Sequence, residues 1–226
     1  MITITGTNDW RAAHPGSIIG LLEISGVNNT IASPALEEQK RAVEANLRSE
    51  YAGFSRKDLL TLPVMGAYER YYRRFDKTYH VLLQVESIAL KGKTLPDVSP
   101  LVDANFCAEV STTVLTAGHD VTKLEGSVVI DVSYDRDEIT QMNGSTKNIR
   151  AGDMVMRDRL GVCCSILYGQ DSRSRISSDT RHVLYVAYAP PGVPTEAVEA
   201  HLQQIEQYVR LFAPEAQVKQ NKLLKA

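Results

Sequence analysis

The sequence predicts an α+β fold in which helices pack on a mainly antiparallel sheet. Three features carry that prediction. Helix-period runs are concentrated between residues 33 and 117, short β-rich segments separated by turn residues fill 127–190, and one more amphipathic stretch closes the chain.

Residues 17–27, SIIGLLEISGV, form a continuous apolar run that reads as a buried strand. Ser33 and Pro34 supply the N-cap and first position of a helix, Glu37 and Glu38 sit near its positive end, and Leu36, Val43 and Leu47 mark its buried stripe. Gly53 ends it. The segment 55–75 is helical in parts, with interruptions expected at Pro63 and Gly66. In 78–91, Val81, Val85, Ile88 and Ala89 repeat at helical spacing, and Gly92 and Pro96 stop the helix. Residues 101–117 read as a helix that breaks at Gly118, leaving His119 and Asp120 in a turn. Strands follow at 127–134, 153–158, 161–169 and 182–190. Thr195 caps a last helix carrying Val198, Leu202, Ile205, Val209 and Phe212, and the basic tail KQNKLLKA reads as frayed.

The 226 residues suffice for a sizeable core as one large domain or two intimate subdomains, and no linker is long enough to separate independent domains. A net charge of −2 argues against a protein whose main task is gripping duplex nucleic acid, though a local basic patch can meet a nucleic-acid substrate briefly. No apolar run approaches the ~20 residues that span a membrane, and the N-terminus does not read as a secretory signal. The three cysteines give neither a disulfide framework nor a ligand spacing, and Cys163 and Cys164 read as core strand residues. The expectation is a cytoplasmic protein without metal or cofactor.

Several side chains could carry chemistry. Asn105 and Glu109 lie four apart on one helix stripe with Thr112 and Thr116; a solvated face and a pocket wall both fit. Glu86 sits on a helix apolar around much of its circumference, so it needs either an internal cation or a cationic ligand. His80 shares a stripe with Gln84. His119 adjoins Asp120, which could fix its tautomer for base catalysis or could instead bond turn amides. The 169–175 loop places Asp171, Ser172, Arg173 and Arg175 at a strand end. Arg70, Tyr71, Tyr72, Arg73, Arg74 and Lys77 interleave charge with rings, which suits an unpaired 3′ end, or a core with snorkelling arginines. G-x-S-x-G is absent.

The segments YRRFDKTYHVLLQVESIALKGKTLP (72–96), SPLVDANFCAEV (99–110), GHDVTKLEGSVVIDV (118–132), RAGDMVMRD (150–158) and GQDSRSRISSDTRHVLYV (169–186) stand in one order. In that order they resemble the tRNA-editing domain of the bacterial phenylalanyl-tRNA synthetase β-subunit, built from its third and fourth domains, and free-standing proteins made of little else. The resemblance implies a single editing-like domain over 1–226, with 1–69 as an N-terminal elaboration, 70–190 as the family-like core and 191–226 as closing helix and tail. It implies trans-editing: hydrolysis of the ester joining a wrong amino acid to the acceptor end of a tRNA. His119, Asp120 and His80 would then be catalytic. Glu86, Asn105, Glu109, Asp171 and Ser172 would bind the substrate, and Arg70, Tyr72, Arg73, Arg74 and Lys77 the tRNA. The carboxylates of Glu86, Asp103, Glu109, Asp120 and Asp171 favour a cationic amino acid, with canavanine on arginine tRNA as one candidate. A non-catalytic tRNA or amino-acid binding module and a hydrolase of small amino-acid esters are the rival readings. A monomer would suffice for any of them.

In the synthetase domain an editing-site histidine lies three residues before the aspartate; here Ala117 takes that position. The editing-site asparagine is matched by Phe106, with Asn105 beside it.

Overall fold

Two sheets carry the fold, and the computed structural model describes residues 1–30 and 33–226 of it. The first sheet contains β2 (Ile18–Ser25), β3 (Thr116–Asp120), β10 (His182–Ala189) and β11 (Gln217–Lys225), in the antiparallel order β11-β2-β10-β3. The second contains β1 (Ile4–Gly6), β4 (Val128–Val132), β7 (Met154–Asp158), β8 (Gly161–Ser165) and β9 (Gly169–Gln170), in the order β1-β4-β7-β8-β9. Only its β1–β4 pair is parallel. Strands β5 (Glu138–Thr140) and β6 (Thr146–Asn148) form a separate hairpin. The helices are α1 (Asn8–Ala13), α2 (Pro34–Glu50), α3 (Arg56–Leu59), α4 (Pro63–Arg73), α5 (His80–Val85), α6 (Pro100–Thr112) and α7 (Thr195–Arg210).

Strands β2 and β10 are buried along nearly their whole length, which is why their sequences are mostly apolar rather than alternating. Helix α7 covers β2 closely. A Cβ at Gly20 would stand 2.8 Å from Val198 Cγ1 and 3.0 Å from Leu202 Cδ1. Gly20→Ala is therefore expected to cost roughly 1–3 kcal/mol through overpacking, read as a lower urea midpoint. An unchanged midpoint would show that the helix can retreat.

Helix α6 is held at its start by a buried cation. Lys40, on α2, is 0 % exposed; its Nζ lies 2.9 Å from Asp103 Oδ2 and 3.2 Å from Glu37 Oε1, and also bonds Asp97. The three carboxylates converge on this ammonium, so α2 and α6 are joined by charge as well as packing.

The structure corrects several sequence expectations. Helix α6 stops at Thr112 because Thr113 takes a left-handed backbone, with φ of 60°. Residues 116–120, expected as helix end and turn, pair with β10 as strand β3. Gly118 leaves room there: its Cβ would lie 2.6 Å from Ile176 Cδ1 and 3.3 Å from Tyr185 Cε1. Pro63 opens α4 rather than interrupting a helix, and Gly66 lies within it. The 78–91 helix ends as a π-helical turn, Glu86–Leu90. Pro194 occupies the N-cap of α7, so Thr195 is its first helical residue and not its cap. The tail is no frayed end but β11, whose lysines suit a sheet edge.

Candidate active site

A cavity of about 510 Å3 opens where α5, α6 and β3 meet β8, β9 and β10. Its helical wall carries His80 and Gln84 from α5 and Val102, Asn105, Phe106 and Glu109 from α6. Strand β3 contributes Thr116, Ala117 and Gly118, and the second sheet contributes Cys164, Ser165, Gly169 and Gln170. Tyr188 of β10 and the 176–178 segment complete it. Apolar Val102, Phe106 and Leu115 alternate with polar groups, a mixture suited to a small ligand held at a few points.

The Asn105–Glu109 stripe is a pocket wall and not a solvated face: Asn105 is 6 % and Glu109 3 % exposed. The α6 turn directs both side chains inward, and the left-handed Thr113 folds β3 back alongside them. Glu109 Oε1 accepts the Thr116 amide at 2.7 Å, and the Asn105 amide nitrogen donates to Thr116 O at 3.3 Å. Burial pushes the Glu109 carboxyl up to about 8, although its hydrogen bonds from Thr116 and Asn105 oppose the rise. Among the described residues, Gln84 Oε1, Asn105 Oδ1 and the Tyr188 hydroxyl oxygen are buried without a hydrogen-bond partner, and all three residues line the cavity. Unpaired buried polar atoms converging on one space are what a ligand would satisfy.

His80 is the histidine of this cavity. Its Nδ1 lies 3.3 Å from the Tyr72 hydroxyl, whose own proton goes to Ile166 O. The Tyr72 oxygen therefore accepts from Nδ1–H, leaving Nε2 as the basic nitrogen. Burial lowers the imidazole to about 4, so the ring is neutral near neutral pH.

His119 stands elsewhere. It is 0 % exposed and absent from the cavity lining. Its Nδ1 bonds Ser174 Oγ at 2.7 Å, and Ser174 in turn donates to Asp171 Oδ1. Ser174 therefore fixes the tautomer, not Asp120 as the adjacency in sequence implied. Burial, with the nearby Arg173 charge, depresses the ring to about 3. Asp120 Oδ1 accepts from the Thr122 amide at 3.0 Å and its Oδ2 from Thr180 Oγ1 at 2.8 Å, the turn-bracing alternative. Asp171 pairs with Arg173 at 3.4 Å as well as with Ser174. Ser172 hydrogen-bonds Thr140 through its backbone. Neither Asp171 nor Ser172 lines the cavity.

Glu86 also lies outside it, 3.2 Å from Lys91 Nζ and 3.7 Å from Arg56 Nη1, so it pairs with two exposed cations of the same chain rather than facing a ligand in the cavity. Tyr72 is 1 % exposed and belongs to the aromatic core with Tyr71 and Phe75, so it offers no face for a base. The cations around it, Arg70, Arg73, Arg74 and Lys77, are exposed, with Arg74 over the Tyr71 and Phe75 rings and Lys77 over Tyr168. The snorkelling alternative holds for the rings, while the charges remain on the surface.

A family model described as the B3/4 domain matches residues 67–212, which run from α4 to just past α7 and include every helix and strand that lines the cavity. The chain belongs to the B3/4 domain family. Among solved structures, this B3/4 domain is similar to an N-terminal fragment of the phenylalanyl-tRNA synthetase β-subunit from Pyrococcus horikoshii, at 8 % identity and a TM-score of 0.49. That likeness covers 98 % of this chain and 50 % of the fragment, so the chain spans half its length. No curated protein matches the chain. Among the described residues, no helix of this B3/4 domain is long and apolar enough to cross a membrane.

Within the B3/4 domain, Ala117, which the sequence resemblance matched to a histidine, lines the cavity with its methyl group. Both Asn105 and Phe106 line the cavity. Tyr188 and Ser165 gave no sequence signal, since each sits in an apolar strand that reads as core.

Proposed function

We propose that this protein is a trans-editing deacylase that hydrolyses the ester of a mischarged aminoacyl-tRNA, with the cavity receiving the aminoacyl group. The observation that carries this reading is the set of unpartnered buried oxygens, Gln84 Oε1 and Asn105 Oδ1, beside the Glu109 carboxyl in a B3/4 domain. Acceptors of this kind select a ligand rich in N–H donors. Glu109 binds the α-ammonium or a cationic side chain, losing its proton as the cation arrives. A cationic non-protein amino acid such as canavanine on arginine tRNA meets that demand.

An aminoacyl ester is already activated, so water must be positioned and the developing oxyanion stabilised. His80 Nε2 orients that water, and the substrate's ribose hydroxyl shares the proton traffic because an imidazole lowered to about 4 is a weak base. Tyr188 is placed to donate to the oxyanion. Arg70, Arg73, Arg74 and Lys77 meet the acceptor-stem phosphates in the cytoplasm. His119, Asp120 and Asp171 brace β3 and the 171–180 loop behind the cavity.

The test is release of amino acid from arginine tRNA charged with canavanine, compared with correctly charged arginine tRNA and with tRNA charged with a neutral residue. Preferential hydrolysis of the first supports the reading. Saturable tRNA binding with every ester left intact would overturn it.

A further inference from the structure

We propose that His201 is a positioning residue that makes Thr116 a hydrogen-bond acceptor toward the cavity, and so helps select cationic ligands. The inference rests on reading the cavity as the aminoacyl pocket and adds a specificity determinant outside it. His201 projects from α7 and is wholly buried, yet it reaches two threonines at the α6–β3 junction. Its Nδ1 lies 2.7 Å from Thr112 Oγ1 and its Nε2 bonds Thr116 Oγ1.

The direction of each proton follows from what else the hydroxyls bond. Thr112 Oγ1 lies 2.9 Å from Ala108 O, the back-bond that a helical threonine makes one turn upstream. A hydroxyl has one proton, so with that proton on Ala108 O, Thr112 can only accept from His201. Nδ1 is then the protonated nitrogen. A neutral imidazole has one donor and one acceptor, so Nε2 accepts, and the donor must be the Thr116 hydroxyl. Burial lowers the His201 ring to about 3, which keeps it neutral.

Thr116 lines the cavity, while its hydroxyl proton is committed to His201 behind it. What remains for a ligand is its oxygen lone pairs. Thr116 thus joins Asn105 Oδ1, Gln84 Oε1 and Glu109 as an acceptor, whereas without His201 the same hydroxyl could rotate and donate. Each acceptor added at this end of the wall favours an ammonium or guanidinium over a neutral, acceptor-bearing side chain.

Two measurements on the full chain test this. Nitrogen NMR of histidine-labelled protein is expected to show His201 neutral, with its proton on Nδ1, from pH 6 to 8; a proton on Nε2 would overturn the inference whatever the protein binds. Calorimetry with arginine amide and norleucine amide as ligands reads the consequence. Thr116→Val and His201→Leu should each weaken arginine amide about tenfold or more, the size of one hydrogen bond to a charged group, and change norleucine amide far less. Thr116→Ser should retain the preference. Should His201→Leu fail to fold, Thr116→Val, which replaces the hydroxyl with a methyl group, still decides. Arginine amide bound equally by wild type and Thr116→Val would sink the inference alone. Wild-type protein that binds neither amide would sink the pocket reading and the specificity claim with it, and the NMR result would then stand by itself.

Discussion

Glu109→Gln is expected to lower deacylation of a cationic aminoacyl-tRNA by on the order of a hundredfold or more while making the empty protein more stable. Removing one member of a desolvated charge pair costs about 2–5 kcal/mol, which sets the first effect. The second follows from linkage. The Glu109 carboxyl has an ordinary value of 4.5 and is raised to about 8 in the fold by burial. Between those values the native state holds a proton that the unfolded chain has released, so this group's contribution falls as pH rises through that window. Above about pH 8 the whole loss, on the order of a few kcal/mol, is present. Glutamine does not titrate and can still accept the Thr116 amide. Urea unfolding at pH 5 and pH 8.5 should therefore show the variant's advantage growing with pH; a constant difference would contradict a buried, raised carboxyl. Below pH 8 a cationic ligand must also expel the Glu109 proton, and calorimetry in buffers of different ionisation enthalpy reads that release.

Lys40→Met is expected to destabilise the protein by roughly 3 kcal/mol, because it leaves Asp103 buried without its cation. Burial alone would lower the Lys40 ammonium. Its bonds to Asp97 and Asp103 more than offset this, so it is held above the usual lysine range and the charge is a fixed part of the fold. Asp103 also accepts the Val98 amide at 3.0 Å, so loss of the cation loosens the entry to α6. That helix presents Asn105 and Glu109, and ligand affinity should fall with stability. A loss under about 1 kcal/mol in urea unfolding would mean that solvent replaces the lysine at little cost.

The helices and inner strands were legible because burial imposes a period. Val43 and Leu47 fall on one face of α2, and Ile18–Ser25 is mostly apolar because both its faces are covered, with Glu23 the one buried charge. The α6–β3 boundary was not legible, because STTVLTAGHD continues a helix-compatible pattern. The break depends on Thr113 adopting a backbone that its sequence does not demand. The lining of the candidate site was half legible for the same reason. Asn105, Glu109 and His80 lie on helices whose faces can be counted, and they do meet in the cavity. His119 was read from its neighbour Asp120, yet in a strand adjacent side chains point to opposite faces, so adjacency in sequence separated them. On Glu86, periodicity points to a cation without saying whose; in the fold, exposed Lys91 and Arg56 lie beside it. Ser174 and His201 could not be found, since each acts across a distance that only the tertiary fold closes.

Strand β2 pairs with β10 on one side and β11 on the other, so both its partners come from the far end of the chain. During synthesis the segment IIGLLEIS leaves the ribosome long before either partner exists. Until then it is a naked apolar strand with two unsatisfied edges, the kind of segment that recruits chaperones or other nascent chains. Non-local pairing of this sort also slows folding. Yield and solubility during expression are therefore set by how long β2 waits for residues 182–189 and 217–225, more than by the stability of the finished sheet.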